Sequence, residues 1–477
     1  MNRRVAASLL ALALGAAACG AEPVPARPTP AAPTPAASVG PTPTPGATPA
    51  PGAVTYRMPL ALIVHATRPV ADAPLAAARR VVAGGGERWS ELGQTGGRMR
   101  VLTTDGRTAG EVLAAVRASD GVLGIVPADA VDATVRVLTV GGKHPLRDPS
   151  GYPLAVRSAR PVPAVTTLTA VGDIMLGRRV AERHSDPNEP LRPFAGRLAA
   201  ADVTVGNVES TLSRDGSPTQ GGDSFAASPR ILTGLKRSGF DVIQLANNHL
   251  GDYGDRALRR TLQRYADAGL PTVGAGRTLS QARQPVIVER DGIRIGFLAT
   301  ESIGETPAAT ATRAGTNRLN MPPRTGPLNR AALKRITADI AALDKRVDTV
   351  VVLSHWGTQY THRPEPSQRR VAKAFADAGA DLIIGGHPHW VQGMQQFGAT
   401  PVVYSLGNFV FDMDFQTKTN EGVIAEAVLW DGRVKAVELV PYVIGGDFVP
   451  RPVGGGRARG ILDDVWNSSR GPWADPG

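Results

Sequence analysis

Five short polar motifs, each closing a run of strand-forming residues, constrain this chain more than any other feature. Gly172-Asp173 follows 168–171, and Asn207-Val208-Glu209 follows 203–205. Asn247-Asn248-His249 follows 240–245, His355 follows 349–353, and Gly386-His387-Pro388-His389 follows 380–384. In an open α/β sheet, loops leaving the carboxyl ends of strands gather along one edge, where sites form. Motifs rich in His, Asp, Glu and Asn that converge there read as a metal-binding hydrolytic site. The plainer alternative is a set of capped loops and satisfied core histidines.

The ends of the chain carry other information. Arg3 and Arg4 precede an apolar run, 5–15, that is too short to span a bilayer as a stable helix. Ala16-Ala17-Ala18-Cys19-Gly20 then resembles a bacterial lipobox, and Cys19 is the single cysteine of the chain. The expectation is a lipoprotein signal peptide over 1–19, with lipid attached to Cys19 and the protein held outside the cytoplasm on a membrane. Residues 20–53 alternate Pro with Thr, Ala and Gly and read as an extended tether. The formal charge of +11 favours anionic polymers or lipid headgroups as partners, unless it reflects only a general drift towards arginine. Nucleic acid is a poor candidate for an exported protein.

Residues 54–155 read as a small α/β lobe, with strands at 60–64, 99–103 and 122–127 and helices at 75–83 and 108–117. The stretches 75–84, 89–93 and 121–127 resemble one lobe of a phosphate-type solute-binding protein. Thr103, Thr104, Asp105 and Thr108 are candidate anion contacts, from a turn feeding a helix amino terminus; the alternative is an ordinary strand-turn-helix.

Residues 165–450 alternate strands and helices, the pattern of a layered α/β fold. Helices are expected at 229–237, 255–268, 330–345 and 367–378, and β-rich segments at 423–429 and 434–443 complete a second sheet of a sandwich. Residues 451–477 read as a flexible tail. Within the motifs, Asp173 suits a hard oxygen ligand and Glu209 can bridge two cations. Asn248 offers a neutral carbonyl oxygen. His249 diverges from it on extended backbone, free to act as an acid on a leaving group with Asp252 orienting its ring. His387 and His389, one residue apart, face the same way on extended chain, with Pro388 stiffening them and His355 completing the set. Arg178 is placed to pair with a substrate carboxylate or phosphate.

Taken together, 172–178, 206–209, 246–249 with 252–254, 355–357, 385–389 and 404–409 closely resemble the CapA family of poly-γ-glutamate capsule synthesis, a branch of the calcineurin-like metallophosphoesterases. The resemblance spans 166 to about 447. It implies a four-layer α/β/β/α sandwich, here preceded by the small lobe. It also implies a metal site formed by Asp173, Glu209, Asn248, His355, His387 and His389. Met175 stands where the wider superfamily places a histidine, and Glu209 where it places a bridging aspartate; both are typical of CapA-like sequences.

The function expected is that of a surface-tethered, metal-dependent hydrolase-like protein acting in synthesis, export or anchoring of an anionic envelope polymer. One or two divalent ions (Mn, Zn or Fe) would activate water for attack on a phosphoryl or acyl centre, with His249 as acid and Arg178 holding the anion. The substrate would be phosphorylated or γ-glutamyl, and capsule-synthesis membrane proteins are possible partners. Two other readings stand beside it: an extracellular phosphomonoesterase or phosphodiesterase, and a non-catalytic, metal-organised polymer-binding scaffold.

Overall fold

The computed structural model describes residues 54–474. Cys19 and the segments expected as signal peptide and tether lie outside the described residues.

Two sheets lie face to face at the centre. The larger has the order Pro450–Pro452, Arg433–Ile444, Glu421–Trp430, Val165–Ile174, Val203–Val208, Val242–Gln244, Thr272–Val273, and Asn408–Val410 joins beside Val165–Ile174. The smaller runs Val286–Arg290, Ile293–Glu301, Thr349–His355, Leu382–Gly386, Thr400–Val403, Met394–Phe397. Their central strands are parallel and buried on both faces, which is why 349–353 and 382–384 are continuous apolar runs. Leu168, Val203 and Val205 meet Phe297, Val351 and Leu353 in the core between the sheets.

Helices cover the two outer faces. Gly254–Asp267 turns Ala257, Leu258, Thr261 and Tyr265 inwards, a spacing that gathers one helix face while its arginines take the others. It packs with Phe194, Ile231 and Leu235 on the larger sheet. Arg330–Asp344, capped by Asn329 accepting the Ala332 N–H at 2.9 Å, and Pro366–Asp377 cover the smaller sheet. The architecture is the expected α/β/β/α sandwich, and the predicted helices and β-segments fall within a few residues of their observed bounds.

Residues 56–158 form a five-stranded sheet with its own helices. This lobe does not stand apart from the sandwich. Its Met58, Ala61, Val126 and Leu146 share a core with Val428, Trp430 and Ala436, and Trp430 Nε1 donates to the Leu146 carbonyl at 2.8 Å. Arg147 pairs with Glu426 at 2.8 Å and Glu438 at 3.0 Å, and residues 54–474 belong to one compact unit.

Two expectations are corrected. The segment after 450 is no flexible tail: Pro450–Pro452 adds a strand, and the helix Gly455–Trp466 seats Ile461, Val465 and Trp466 in the central core with Trp473 behind them. The turn at Thr108 is no open anion site either. Glu111 reaches back to accept the Thr108 N–H at 2.7 Å while Thr108 Oγ1 accepts the Glu111 N–H at 3.2 Å, so the helix start is filled by the chain's own carboxylate.

Candidate metal centre

Strand register brings the first three polar side chains together. Asp173 stands opposite Asn207 on one neighbouring strand and opposite Asn408 on the other. Asn207 and Glu209 are two residues apart and lie on the same side of their strand. The Asn207 amide group reaches Asp173 Oδ1 at 2.8 Å, Glu209 Oε1 at 3.0 Å and His355 Nδ1 at 3.2 Å, while its oxygen accepts from Asn247 at 2.9 Å. The facing sheet supplies the imidazoles, with His355 in register beside Gly386. A Cβ on Gly386 would stand 2.5 Å from Asp173 Oδ1, so only glycine lets the second sheet approach the carboxylate this closely.

Asp173, Glu209 and His389 are buried and offer ligand atoms that all lie within 4.8 Å of one another. Glu209 Oε1 is also 3.3 Å from His355 Nε2, which in turn lies 2.8 Å from Asn248 Oδ1, and the His355 and His387 rings are 5.0 Å apart. All six residues expected as ligands therefore line one buried cluster, with Glu209 common to its two halves. The residues fit a divalent cation on a direct observation: Glu209 Oε2, His389 Nε2 and both ring nitrogens of His387 are buried with no hydrogen-bond partner. Buried polar atoms are almost always partnered, so four such atoms in one cluster suit a bound cation.

Electrostatics agree with that reading. Burial pushes the Asp173 carboxyl up to about 6, against the hydrogen bonds from Asn207 and the His387 N–H. Burial, then the Asp173 charge, pushes Glu209 well above the carboxylate range. Burial, then neighbouring imidazoles, drives His355 and His387 well below the usual histidine range; His389 falls to about 4. The imidazoles are thus neutral, the form that ligates metal, and the two crowded carboxyls call for a positive charge.

The histidine pair departs from the expected geometry. His387 and His389 do not lie on extended chain but have φ of +94° and +58°. They enter the cluster because the backbone turns in the left-handed region, which also aims the His387 N–H at Asp173 Oδ2 at 2.9 Å. Such conformations in non-glycine residues gather at functional sites. Met175 Sδ is occupied by the Gly177 N–H at 3.1 Å and buried in the helix-side core, so it contributes no ligand.

His249 is placed as expected. Its Nδ1 is 2.8 Å from Asp252 Oδ2, and its ring stacks on Phe225 at 3.8 Å. Asp252 is fully buried and also accepts from Gln220 Nε2 and from the Phe225 N–H, both at 2.5 Å. With three such contacts it is held in place, and it serves to orient the His249 ring. His249, Asn248 and His387 line a pocket of about 430 Å³ that also includes Arg178, Arg324 and Tyr360. Arg178 reaches this pocket already engaged: it grips Asp412 with two nitrogens, approaches Asp223 at 3.4 Å and lies 4.2 Å over Phe225. Its guanidinium is a pocket wall before it is an anion clamp. Asn207, Asn408, Gln220, Asp412 and Tyr360 were not assigned roles from sequence. Asn207 is within reach of sequence reasoning, since it precedes Glu209 by two residues on a strand; Asn408 opens the short strand Asn408–Val410, and Gln220, Asp412 and Tyr360 lie outside regular strands and helices with no periodic signal.

A two-sheet α/β sandwich with a buried carboxylate-imidazole cluster at its strand ends defines the class of protein. The family described as "Bacterial capsule synthesis protein PGA_cap" matches residues 167–413. The chain is 34% identical over 294 residues to "Capsule biosynthesis protein CapA" of Bacillus anthracis, covering 60% of this chain and 69% of the relative. It is 32% identical over 295 residues to "PGA biosynthesis protein CapA" of Bacillus subtilis, covering 61% and 74%. A solved 5'-nucleotidase from Candida albicans aligns with a TM-score of 0.33 at 10% identity, over 60% of this chain and 53% of that one. The chain belongs to the bacterial capsule synthesis protein family.

Proposed function

We propose that this chain is a metal-dependent, hydrolase-like protein that acts in synthesis, export or anchoring of an anionic capsule polymer of the poly-γ-glutamate type. The observation that carries the reading is the cluster of Asp173, Glu209 and His389 with its unpartnered ligand atoms, beside a histidine held by a buried carboxylate. The names of the two Bacillus relatives supply the polymer class.

Asp173, Glu209 and His389 would hold one cation, and Glu209, Asn248, His355 and His387 a second. When bound, a divalent ion supplies Lewis-acid polarisation of a phosphoryl or acyl oxygen; the mixed N/O donors suit Mn, Zn or Fe. Asp252 accepts from His249 Nδ1 and fixes the ring, so the imidazolium form would present its Nε2–H to a leaving group and return to the neutral ring, protonated on Nδ1, when that proton is passed. Phe225 and the sealed Asp252 carboxylate exclude water from the rear of that ring. Arg324, paired with Glu305 at 2.6 Å on the pocket wall, is the second guanidinium an anionic substrate meets.

Screening the purified protein for metal-dependent turnover of phosphoesters and of γ-glutamyl peptides tests the proposal. Cleavage of γ-glutamyl bonds supports it, cleavage of phosphoesters alone supports a phosphoesterase, and no turnover with retained metal supports a scaffold. The same reading places the protein on a membrane through lipid on Cys19, with capsule-synthesis membrane proteins as partners. Cys19→Ser should then abolish incorporation of radioactive fatty acid; equal label in wild type and variant rules the anchor out.

A further inference from the structure

We propose that the groove between the amino-terminal lobe and the C-terminal helix is a second ligand site, taking a carboxylate-bearing chain of glutamyl type through Arg136 and Arg459. The groove encloses about 620 Å³ and shares no lining residue with the pocket beside the metal cluster. Pro69 and Arg136 come from the lobe, Pro441 from Arg433–Ile444, and Arg459, Leu462 and Trp466 from Gly455–Trp466. It exists only because the lobe and the sandwich are fused.

Arg136 is the feature that needs a ligand. It sits between Val135 and Val137, whose side chains are buried on the other side of the strand. Its guanidinium makes one long hydrogen bond, to the Arg68 carbonyl at 3.4 Å, and no ion pair among the described residues. The acid that acts on it is Glu438, but the Glu438 oxygens are taken by His144 at 3.2 Å and Arg147 at 3.0 Å. Burial opposes the charge, and the Glu438 carboxylate only partly offsets that. A guanidinium cannot shed its proton, so a largely enclosed cation with one weak bond is a costly arrangement that an entering anion relieves.

The remaining walls select the kind of anion. Arg459 is exposed on the helix and in no ion pair among the described residues; Asp463, one turn on, is the single carboxylate in the lining. Pro69, Pro441, Leu462 and Trp466 add apolar surface to the same lining, which a bare phosphate leaves uncovered. Apolar wall beside two guanidinium groups suits the methylene stem of a glutamyl unit together with its carboxylates. The identity of the occupant rests on the polymer named under the proposed function; the presence of the site does not.

Equilibrium binding of a fluorescent, short γ-linked glutamate oligomer to the purified chain, as prepared and after chelation, tests the site. Wild type should bind in both states, and Arg136→Gln and Arg459→Gln should each weaken the binding that survives chelation about tenfold or more. Arg459 is exposed, so its variant separates lost contact from lost folding. The inference is overturned if wild type does not bind, if both arginine variants bind as wild type after chelation, or if chelation abolishes all binding. Inorganic phosphate that competes as well as the oligomer overturns the glutamyl assignment. Oligomer binding without metal or turnover would keep this site and sink the proposed function; turnover without groove binding would do the reverse.

Discussion

Asn408 Oδ1 stands 2.8 Å from His389 Nδ1, while the Asn408 amide group donates to the Thr419 carbonyl at 3.0 Å. The second bond fixes which end of the amide faces the ring, so the imidazole carries its proton on Nδ1 and its lone pair on the partnerless Nε2. Asn408 thereby prepares His389 as a ligand without touching a metal itself.

Replacing Asn408 with Ala should loosen the ring and free its tautomer. Residues in this role typically contribute 10–100-fold in metal affinity. Titration of the apo-protein with zinc should show a loss of about that size, with secondary structure unchanged by circular dichroism. Unaltered affinity would remove Asn408 from the account.

His249→Ala should lower turnover by about 10²–10⁴-fold and leave metal content nearly unchanged. Asn248 beside it turns its Oδ1 into the cluster, 2.8 Å from His355 Nε2, while His249 is held by Asp252. The deficit should shrink for substrates with nitrophenolate leaving groups, which need little protonation. Loss of metal from the variant would make His249 a ligand.

Much of this site is legible in the chain because register and strand ends are local properties. Asp173, Asn207 and His355 follow apolar runs, and parallel pairing carries them to one edge. What stays hidden depends on turns and distant partners. The inward aim of His387 and His389 comes from positive φ after Gly385-Gly386, where strand alternation no longer applies. Arg178 meets Asp412 234 residues later, a contact no spacing announces. The last helix hides behind Gly, Pro and Arg in 451–460, since its apolar residues begin only at Ile461.

Glu438 ties the lobe to the sandwich and should make their union acid-sensitive. Burial alone would raise its pKa, but His144, Arg147 and Arg136 outweigh it and hold the carboxyl down to about 2. A group with a depressed folded pKa contributes stability that is present above its unfolded value and lost as pH falls through the folded one. Protonation between about pH 4.5 and 2 should therefore cost on the order of 3 kcal/mol. Thermal melts of wild type and Glu438→Gln should converge as pH falls from 6 to 3. Parallel curves would contradict the assignment.

On the proposed function, Glu209 and His387 hold divalent metal in one buried cluster. Elemental analysis of the purified chain, beside Glu209→Gln and His387→Ala, tests it most directly. Wild type should carry about one or two ions of Mn, Zn or Fe per chain, and each variant should be depleted and should melt earlier, because ligands from distant segments couple metal binding to folding. Equal metal in wild type and both variants, or none in wild type after exposure to all three ions, would contradict the account.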